Sequence, residues 1–311
     1  MKDVFIINPY SGKKEQYALM QQIKETFQGK RIIIEKTKNP GHAQFIAQKY
    51  ALKTEEEVHL FVCGGDGTLH EVVNGMAGAK HVYLSVLPTG TGNDFIKSFP
   101  ALTAQDFFNL SEYDNPVEME CDLLKVNGEY VLNTASIGFD VHVADYANKY
   151  KKYIPAGGII PYYMGMLASL RKPLGNTYRI QIDEDHLPEE KYSFLVFANG
   201  QYYGGGYRPC PNALLNDGMM DICLIKDVKR TQIVSMAKLY EKGEHVQYPE
   251  LAMVSQGTTC HVDTENKEIL MNLDGEVRPV KNPTIEIVPK AYDCYCQIKQ
   301  NKQKDRYKTL F

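Results

Sequence analysis

The residues best suited to chemistry form the turn Gly64-Gly65-Asp66-Gly67-Thr68. An apolar run at 58–62 precedes this turn with the length of a buried strand, and apolar residues recur at helical spacing over 69–76. Glycines let a backbone approach a phosphate closely, and a helix N-terminus offers N–H groups to an anion. Asp66 would repel a bare phosphate, which indicates a metal ion or a hydroxyl proton nearby. The alternative is a tight turn in which Asp66 caps the helix.

Two more polar loops, at 8–13 and 89–94, also follow apolar runs of strand length. Strands and helices alternate over this part of the chain, with predicted strands at 4–7, 31–35, 58–62 and 82–87 and predicted helices at 15–27, at 43–52 and after residue 68. This alternation predicts a doubly wound parallel sheet. Because the carboxyl ends of parallel strands share one edge of a sheet, the three loops are expected to meet there.

The pattern changes near Pro116, where strands begin to outnumber helices. A hairpin is predicted over 122–132 around an Asn127-Gly128 turn of type I′. Further strands are predicted at 178–182, 194–197, 219–225, 259–262, 269–273 and 284–288, with helices at 141–150, 161–170 and 231–240. We therefore predict an α/β plus β-rich fold, whose second domain is an antiparallel sandwich or barrel. The predicted divisions are an α/β domain at 1–118, a β-rich domain at 119–298 and a basic tail at 299–311.

Composition narrows the function classes. The chain has 311 residues with 43% apolar and 23% charged residues, and a net charge of −3 that argues against nucleic-acid binding. Seven scattered cysteines indicate reduced thiols in the cytoplasm. No apolar run approaches the roughly 20 residues that span a bilayer, so any membrane contact is predicted to be peripheral, at the inner face of the membrane.

Five motifs in order resemble those of the diacylglycerol-kinase-like lipid kinases, a group that includes bacterial diacylglycerol kinases and the sphingosine and ceramide kinases. The motifs lie at 8–13, 64–75, 88–95, 215–218 and 272–276. G-G-D-G alone is not specific, since NAD kinases and phosphofructokinases carry it, but the ordered set over 2–290 is. Thr89 departs from the pattern, because leucine or methionine is commoner there. The chain has no G-x-x-x-x-G-K-[ST], so a P-loop ATPase is disfavoured.

The resemblance implies binding of ATP with Mg²⁺. Carried over by position, the nucleotide contacts would be Asn8, Pro9, Ser11, Gly12, Thr37, Gly64, Gly65, Asp66, Gly67, Thr68, Glu71, Thr91 and Asn93. Hydroxyls at Thr37 and Thr91 suit phosphate or ribose, but both could be ordinary turn and cap residues. Asn93 could instead pin its own loop, and Glu71 could brace a neighbouring one.

The resemblance also suggests a catalytic base in the motif at 272–276, either Glu276 or Asp274. A carboxylate there could accept the proton of an attacking hydroxyl. Asp66 is the rival for that role, or else a Mg²⁺ ligand. The alternative for Asp274 is a hairpin turn, since Asp-Gly is a strong turn pair.

A second Mg²⁺ site is implied at Asp217, with the backbone carbonyls of Leu214 and Met219 as further ligands. A hard cation accepts such oxygen donors. Asn216 stands beside it where some relatives carry aspartate, and a plain turn is the alternative.

The segment 146–173 mixes basic, apolar and aromatic residues, which suits a membrane surface or a helix packed on the second domain. The leading hypothesis is a lipid kinase that transfers the γ-phosphate of ATP to the hydroxyl of a membrane lipid, with diacylglycerol as the first candidate and phosphatidic acid as its product. The alternatives are an NAD-kinase-like enzyme and a non-catalytic nucleotide-binding regulator. The oligomeric state is open, with a homodimer as one candidate.

Overall fold

The computed structural model describes residues 1–11, 13–151, 160–172 and 174–297, so the predicted tail at 299–311 lies outside the described residues. The chain divides into two compact units. One unit is formed by Met1–Asp122 together with the segment that starts at Pro289, and the other by Leu123–Val288.

The strands, in chain order, are β1 (Lys2–Ile7), β2 (Ile32–Lys36), β3 (Val58–Gly64), β4 (Val82–Pro88), β5 (Val117–Val126), β6 (Glu129–Val131), β7 (Thr134–Gly138), β8 (Asn176–Ile182), β9 (Asp185–His186), β10 (Glu190–Ala198), β11 (Met220–Lys226), β12 (Ala252–Gly257), β13 (Thr259–Asp263), β14 (Ile269–Leu273), β15 (Glu276–Val280) and β16 (Thr284–Cys296). The α-helices are α1 (Lys13–Thr26), α2 (His42–Ala51), α3 (Asp66–Met76), α4 (Phe139–Lys151), α5 (Ile160–Ser169) and α6 (Arg230–Lys242). Short 3-10 helices lie at Phe95–Ser98, Asp106–Phe108, Leu110–Asp114 and Glu244–Gln247.

The first unit is built on a parallel sheet with the strand order β2-β1-β3-β4-β16. Every residue of β3 is buried, as expected for a central parallel strand. Helix α1 covers one face, where Leu19, Ile23 and Phe27 form a helical stripe against Phe5 and Phe61 of the sheet. The predicted doubly wound parallel sheet is therefore confirmed.

The last strand of this sheet corrects the sequence prediction. Residues 284–288 were expected to form a strand of the second domain only, but β16 continues to Cys296. Its C-terminal half pairs with β4 in parallel, with Asp293 opposite Tyr83 and Cys294 opposite Leu84. Pro289 and Lys290 interrupt the apolar pattern, and Lys290 has a φ of 52°. The sequence pattern therefore did not predict that the strand continues beyond them. The segment beyond them belongs to the first unit, although the sequence assigned it to the second domain.

The second unit contains an antiparallel β-sandwich. One sheet has the order β15-β14-β7-β10-β11-β12, and the other contains β8, β9, β13 and β16, with β5 beside β6 and β16. Strand β10 links the two sheets, because its first residues also pair with β8. The core between the sheets draws apolar side chains from both, including Leu195 and Phe197 of β10 and Ile180 and Val262 of the facing sheet.

Helices cover the other side of the first of these sheets. Val196 and Ala198 alternate with Leu195 and Phe197 along β10 and pack in a cluster with residues of α4, α5 and α6. These helices lie close to their predicted positions. None of the described helices is long and apolar enough to cross a membrane.

Two local predictions are also confirmed. Asn127 and Gly128 have φ values of 48° and 97° between the antiparallel strands β5 and β6, as a type I′ turn requires. The seven cysteines are all buried with free thiols, in agreement with the expected reduced state.

Candidate functional site

Asn8 joins the loop after β1 to the turn after β3. Its backbone N–H donates to the Cys63 carbonyl at 3.0 Å, and its side-chain Nδ2 donates to Thr68 Oγ1 at 3.0 Å. Its Oδ1 accepts from the Tyr10 N–H at 3.0 Å, which closes a turn around Pro9. The Ser11 N–H in turn donates to the Asn8 carbonyl at 3.1 Å. The predicted contacts Asn8, Pro9, Ser11 and Thr68 are thus brought together, while Gly12 lies outside the described residues.

Glycines bring the turn after β3 into direct backbone contact with the loop after β4. The Gly90 N–H donates to the Gly64 carbonyl at 3.2 Å, and a Cβ on Gly90 would lie only 2.3 Å from the Cα of Gly65. A Cβ on Gly64 would lie 2.5 Å from the Cβ of Thr68. A side chain at Gly90 would push the two loops apart, and a side chain at Gly64 would displace Thr68 within its own turn. Gly67 differs, because a Cβ there would meet nothing within 4 Å.

Gly90→Ala is therefore expected to lower the free energy of unfolding by about 1–3 kcal/mol, because the added methyl group would clash with the Gly65 backbone and with Asn93 Oδ1, which lies 2.7 Å from its position. Gly67→Ala is the matched control and should cause no loss, since its Cβ enters open space within a helix. Urea unfolding of both variants and the wild type measures the difference. Equal stability of the two variants would show that the loops separate freely.

The carboxylate of Asp66 is anchored at the first turn of α3. Its Oδ1 accepts from the Asp94 N–H at 2.7 Å, and Lys97 Nζ donates to Asp94 Oδ1 at 2.6 Å. The Oδ2 atom of Asp66 lies against Gly92, and a Cβ on Gly92 would be 2.7 Å from it. Asp66 is therefore held beside bare backbone at the N-terminus of a helix, where the helix dipole favours negative charge.

Asn93 and Thr91 lie in the loop after β4. Asn93, with a φ of 50°, donates from Nδ2 to the carbonyls of Pro88 and Gly90 at 3.2 and 2.8 Å. Its side-chain amide is thus used to shape the loop, which is the alternative role considered for it. Thr91 is exposed, and Thr89 Oγ1 donates to Ser11 Oγ at 3.3 Å.

Glu71 braces the loop after β2. Its two carboxylate oxygens accept from the N–H groups of Gly41 and Ala43 at 2.7 and 3.0 Å, at the start of α2. Helix N-terminal N–H groups need such acceptors, and Glu71 supplies two of them from another helix. Thr37 of the same loop is buried, and its N–H donates to the Ile7 carbonyl at 2.9 Å.

The first unit therefore gathers four polar loops at the carboxyl edge of its sheet, after β1, β2, β3 and β4. The sequence pattern predicted that three of these loops converge. The family resemblance added Thr37 from the fourth loop. Close backbone packing, a helix N-terminus and an anchored carboxylate at this edge form a site that can hold phosphate groups and a cation.

In the second unit, Asp274 binds the turn between β14 and β15 to the segment that connects β6 to β7. It has a φ of 50° in the turn between β14 and β15, and its carboxylate accepts from the N–H groups of Leu132, Asn133 and Thr134 at 2.6, 2.8 and 3.1 Å. Glu276 is exposed, with Arg278 Nη1 at 3.8 Å from its Oε2. Because the Asp274 carboxylate already serves three donors, its arrangement favours a structural role and leaves Glu276 as the better candidate base.

Asp217 lies in an exposed turn before β11. Its Oδ1 accepts from the Met219 N–H at 3.0 Å, and Gly218 follows with a φ of 71°. Within the described residues, no group of three or more His, Cys, Asp or Glu side chains is placed to hold a metal ion. A cation at Asp217 would therefore depend on backbone carbonyls, with Leu214 and Met219 as the candidates, and on water.

Asp140 is a buried carboxyl that the sequence analysis did not single out. Tyr203 Oη donates to Asp140 Oδ2 at 3.4 Å and lies 3.1 Å from Tyr240 Oη. Burial raises the pKa of the Asp140 carboxyl from its ordinary 3.8 to about 7. The available signal was an acidic residue between the apolar Phe139 and Val141, in a chain with the tyrosine-rich segment 202–207.

This raised pKa predicts a pH-dependent stability. The folded state keeps the Asp140 proton up to about pH 7, whereas the unfolded state loses it near pH 3.8, so stability should fall as the pH rises between these values. At about 1.4 kcal/mol for each pKa unit, the loss is about 4 kcal/mol at most. Asp140→Asn should remove this slope, and Asp145→Asn, at a half-buried position of the same helix where the carboxylate pairs with Lys149 at 2.7 Å, should retain it. Urea unfolding across this pH range measures all three proteins, and parallel slopes would contradict the prediction.

Two family models match the chain. The diacylglycerol kinase catalytic domain matches residues 2–124, and the YegS C-terminal NAD kinase beta sandwich-like domain matches residues 133–296. The diacylglycerol kinase of Bacillus subtilis strain 168 is 30% identical over 279 residues, covering 87% of this chain and 88% of its own length. The diacylglycerol kinase of Staphylococcus carnosus is 28% identical over 278 residues, covering 87% of each chain.

Solved structures share the fold. A diacylglycerol kinase from Bacillus anthracis has a TM-score of 0.70 at 21% identity, covering 95% of this chain and 97% of its own. An NAD kinase from Archaeoglobus fulgidus in complex with ATP has a TM-score of 0.50 at 10% identity, covering 100% and 98%. At these identities the likeness concerns the fold alone. The two family models and the relatives in sequence confirm the resemblance carried by the five motifs, and the chain belongs to the diacylglycerol-kinase-like family of lipid kinases.

Proposed function

We propose that this protein transfers the γ-phosphoryl group of ATP to a hydroxyl group of a membrane glycerolipid, with diacylglycerol as the first candidate. The observation that carries the proposal is the edge of the first sheet, where glycine backbones from two loops touch and Asp66 is anchored beside them. The names of the relatives in sequence, which are diacylglycerol kinases, support the choice of acceptor.

In this proposal the first unit binds the nucleotide. The N–H groups at the start of α3 and the glycine backbones of the two touching loops bind the phosphates. Asn8 and Ser11 hold the adjoining loop, and the exposed Thr91 contributes its hydroxyl. Glu71 acts indirectly, since its carboxylate fixes the loop that carries Thr37.

Mg²⁺ would neutralise charge on the transferred phosphoryl group, which is the main demand of phosphoryl transfer. Asp66 is the carboxylate that the proposal assigns to this ion. Asp217 is assigned a second, structural cation with oxygen ligands only.

The acceptor hydroxyl needs a base when it attacks the γ-phosphorus. The proposal gives this role to Glu276, because it is exposed and the Asp274 carboxylate serves three backbone donors. The proton moves from the lipid hydroxyl to the Glu276 carboxylate while the bond from the γ-phosphorus to the bridging oxygen of ATP breaks. Asp274 would then act by positioning the hairpin that carries Glu276.

Radiolabelled ATP incubated with the purified protein and a total lipid extract tests the proposal. We expect label in a lipid product, identified by mass as phosphatidic acid, and no label when EDTA removes Mg²⁺. Parallel reactions with NAD test the related small-molecule activity. Label in NADP without any labelled lipid would replace the proposal with an NAD kinase, and ATP binding without any product would indicate a nucleotide-binding regulator.

A further inference from the structure

Helix α5 presents a row of apolar side chains to solvent. Ile160, Met164 and Leu167 are 51%, 38% and 58% exposed, and their spacing of four and three residues places them on one side of the helix. The other side is fixed against α4, since a Cβ on Gly165 would lie 2.5 Å from the Val143 carbonyl oxygen. The exposure of the row is therefore built into the packing of the helix. Single exposed apolar residues are common, but an aligned row on one helix is a candidate interaction surface.

A group of cations borders the C-terminal end of this row. Arg230 Nε donates to the Leu170 carbonyl at 2.8 Å and its Nη2 to the Lys172 carbonyl at 3.2 Å, which holds the start of α6 beside the end of α5. This basic cluster consists of Arg171, Lys172, Lys229 and Arg230, all of them exposed. The acid nearest to it in sequence, Asp227, is paired with Lys191 at 3.0 Å. Arg171 lies in the turn that follows α5, so a positive charge comes directly after the helix that carries the apolar row.

We infer that the apolar row of α5 and the basic cluster dock the protein on an anionic lipid bilayer. Apolar side chains on one side of a helix enter the boundary between headgroups and acyl chains, and neighbouring lysine and arginine side chains attract anionic headgroups. The charge complementarity favours an anionic bilayer over an apolar protein partner. The inference rests on the proposed function in one respect, that a lipid kinase must reach a substrate embedded in a membrane.

Sedimentation with phosphatidylcholine vesicles that contain phosphatidylglycerol tests the surface directly. We expect the wild type to sediment with these vesicles, less with pure phosphatidylcholine, and less at high salt, because salt screens charges at the surface. The double variant Met164→Gln, Leu167→Gln should lose at least about tenfold in partition, and so should Arg171→Gln, Lys229→Gln. The matched controls are Leu270→Gln on β14 and Lys238→Gln on α6, both exposed and outside the row and the cluster, and both should bind like the wild type.

Kinase assays on two forms of the acceptor separate this inference from the proposed function. With a long-chain diacylglycerol in anionic vesicles, the docking variants should lose activity in parallel with binding. With a water-soluble short-chain diacylglycerol, they should match the wild type, since no bilayer has to be reached. Vesicle binding that is absent in the wild type, or unchanged in both double variants, overturns the inference. If vesicle binding depends on α5 but the protein phosphorylates no lipid, the docking inference is supported and the proposed function is overturned.

Discussion

Replacement of Asp66 by asparagine is expected to lower kcat for lipid phosphorylation by about 10²–10⁴-fold while the protein stays folded. Asparagine keeps an oxygen that can accept the Asp94 N–H, now bonded at 2.7 Å to Asp66 Oδ1, but it loses the negative charge. The charge is what a Mg²⁺ ion or a hydroxyl proton would require at the first turn of α3. Initial rates with saturating ATP and lipid, together with a urea unfolding curve, measure the two effects separately.

Asp114→Asn is the matched control, because Asp114 is an exposed acid of the same unit that pairs with Lys30. It should change neither rate nor stability appreciably, since surface substitutions are usually within about 0.5 kcal/mol. An Asp66→Asn enzyme with nearly wild-type turnover would remove Asp66 from the chemistry. A variant that unfolds at much lower urea would instead show that the Asp66 carboxylate is chiefly structural.

Asp274→Asn is expected to lower the stability of the protein, whereas Glu276→Gln is expected to lower kcat. The Asp274 carboxylate accepts three N–H groups, and an amide would turn one acceptor into a donor facing a donor. Hydrogen bonds to charged groups contribute more than neutral ones, so Asp274→Asn should lower the free energy of unfolding by roughly 3 kcal/mol. Glu276→Gln should leave stability unchanged and lower kcat by about 10²–10⁴-fold, as expected for a lost general base.

Urea unfolding and steady-state kinetics on both variants distinguish the roles, with Glu268→Gln as an exposed control in the same unit. If Asp274→Asn is as stable as the wild type but inactive, the base is Asp274. If Glu276→Gln retains full turnover, Glu276 is not the general base.

The sequence predicted the parts of the site that depend on local pattern. Strand length, helical spacing and glycine placement were sufficient to expect Gly64, Gly65 and Gly90 at one edge of a parallel sheet, because each loop directly follows its own strand. The family resemblance then added residues, such as Thr37, whose types alone carry little information.

What the sequence could not show are bonds between distant segments. Glu71 bonds to the start of α2, and Asp274 bonds to residues 132–134, about 140 positions away. No spacing rule relates an acid to N–H groups in another segment, so neither role could be separated from a contact with nucleotide or substrate. Asp140 was missed for a related reason, since its pKa is raised by burial, which no local pattern shows, and the hydroxyl that donates to it belongs to Tyr203, 63 positions later.

The late arrival of β16 has a consequence for biosynthesis. The first sheet takes its last strand from residues that are translated after the whole β-sandwich, and buried Tyr292 and Cys294 come with that strand. During translation, the edge of β4 that pairs with β16 therefore lacks this partner while more than half of the chain is synthesised. An unpaired strand edge can form hydrogen bonds with the wrong segment. Nascent chains arrested before and after residue 296 should differ in protease resistance at β4, and nucleotide-binding competence would be acquired only with the last part of the chain.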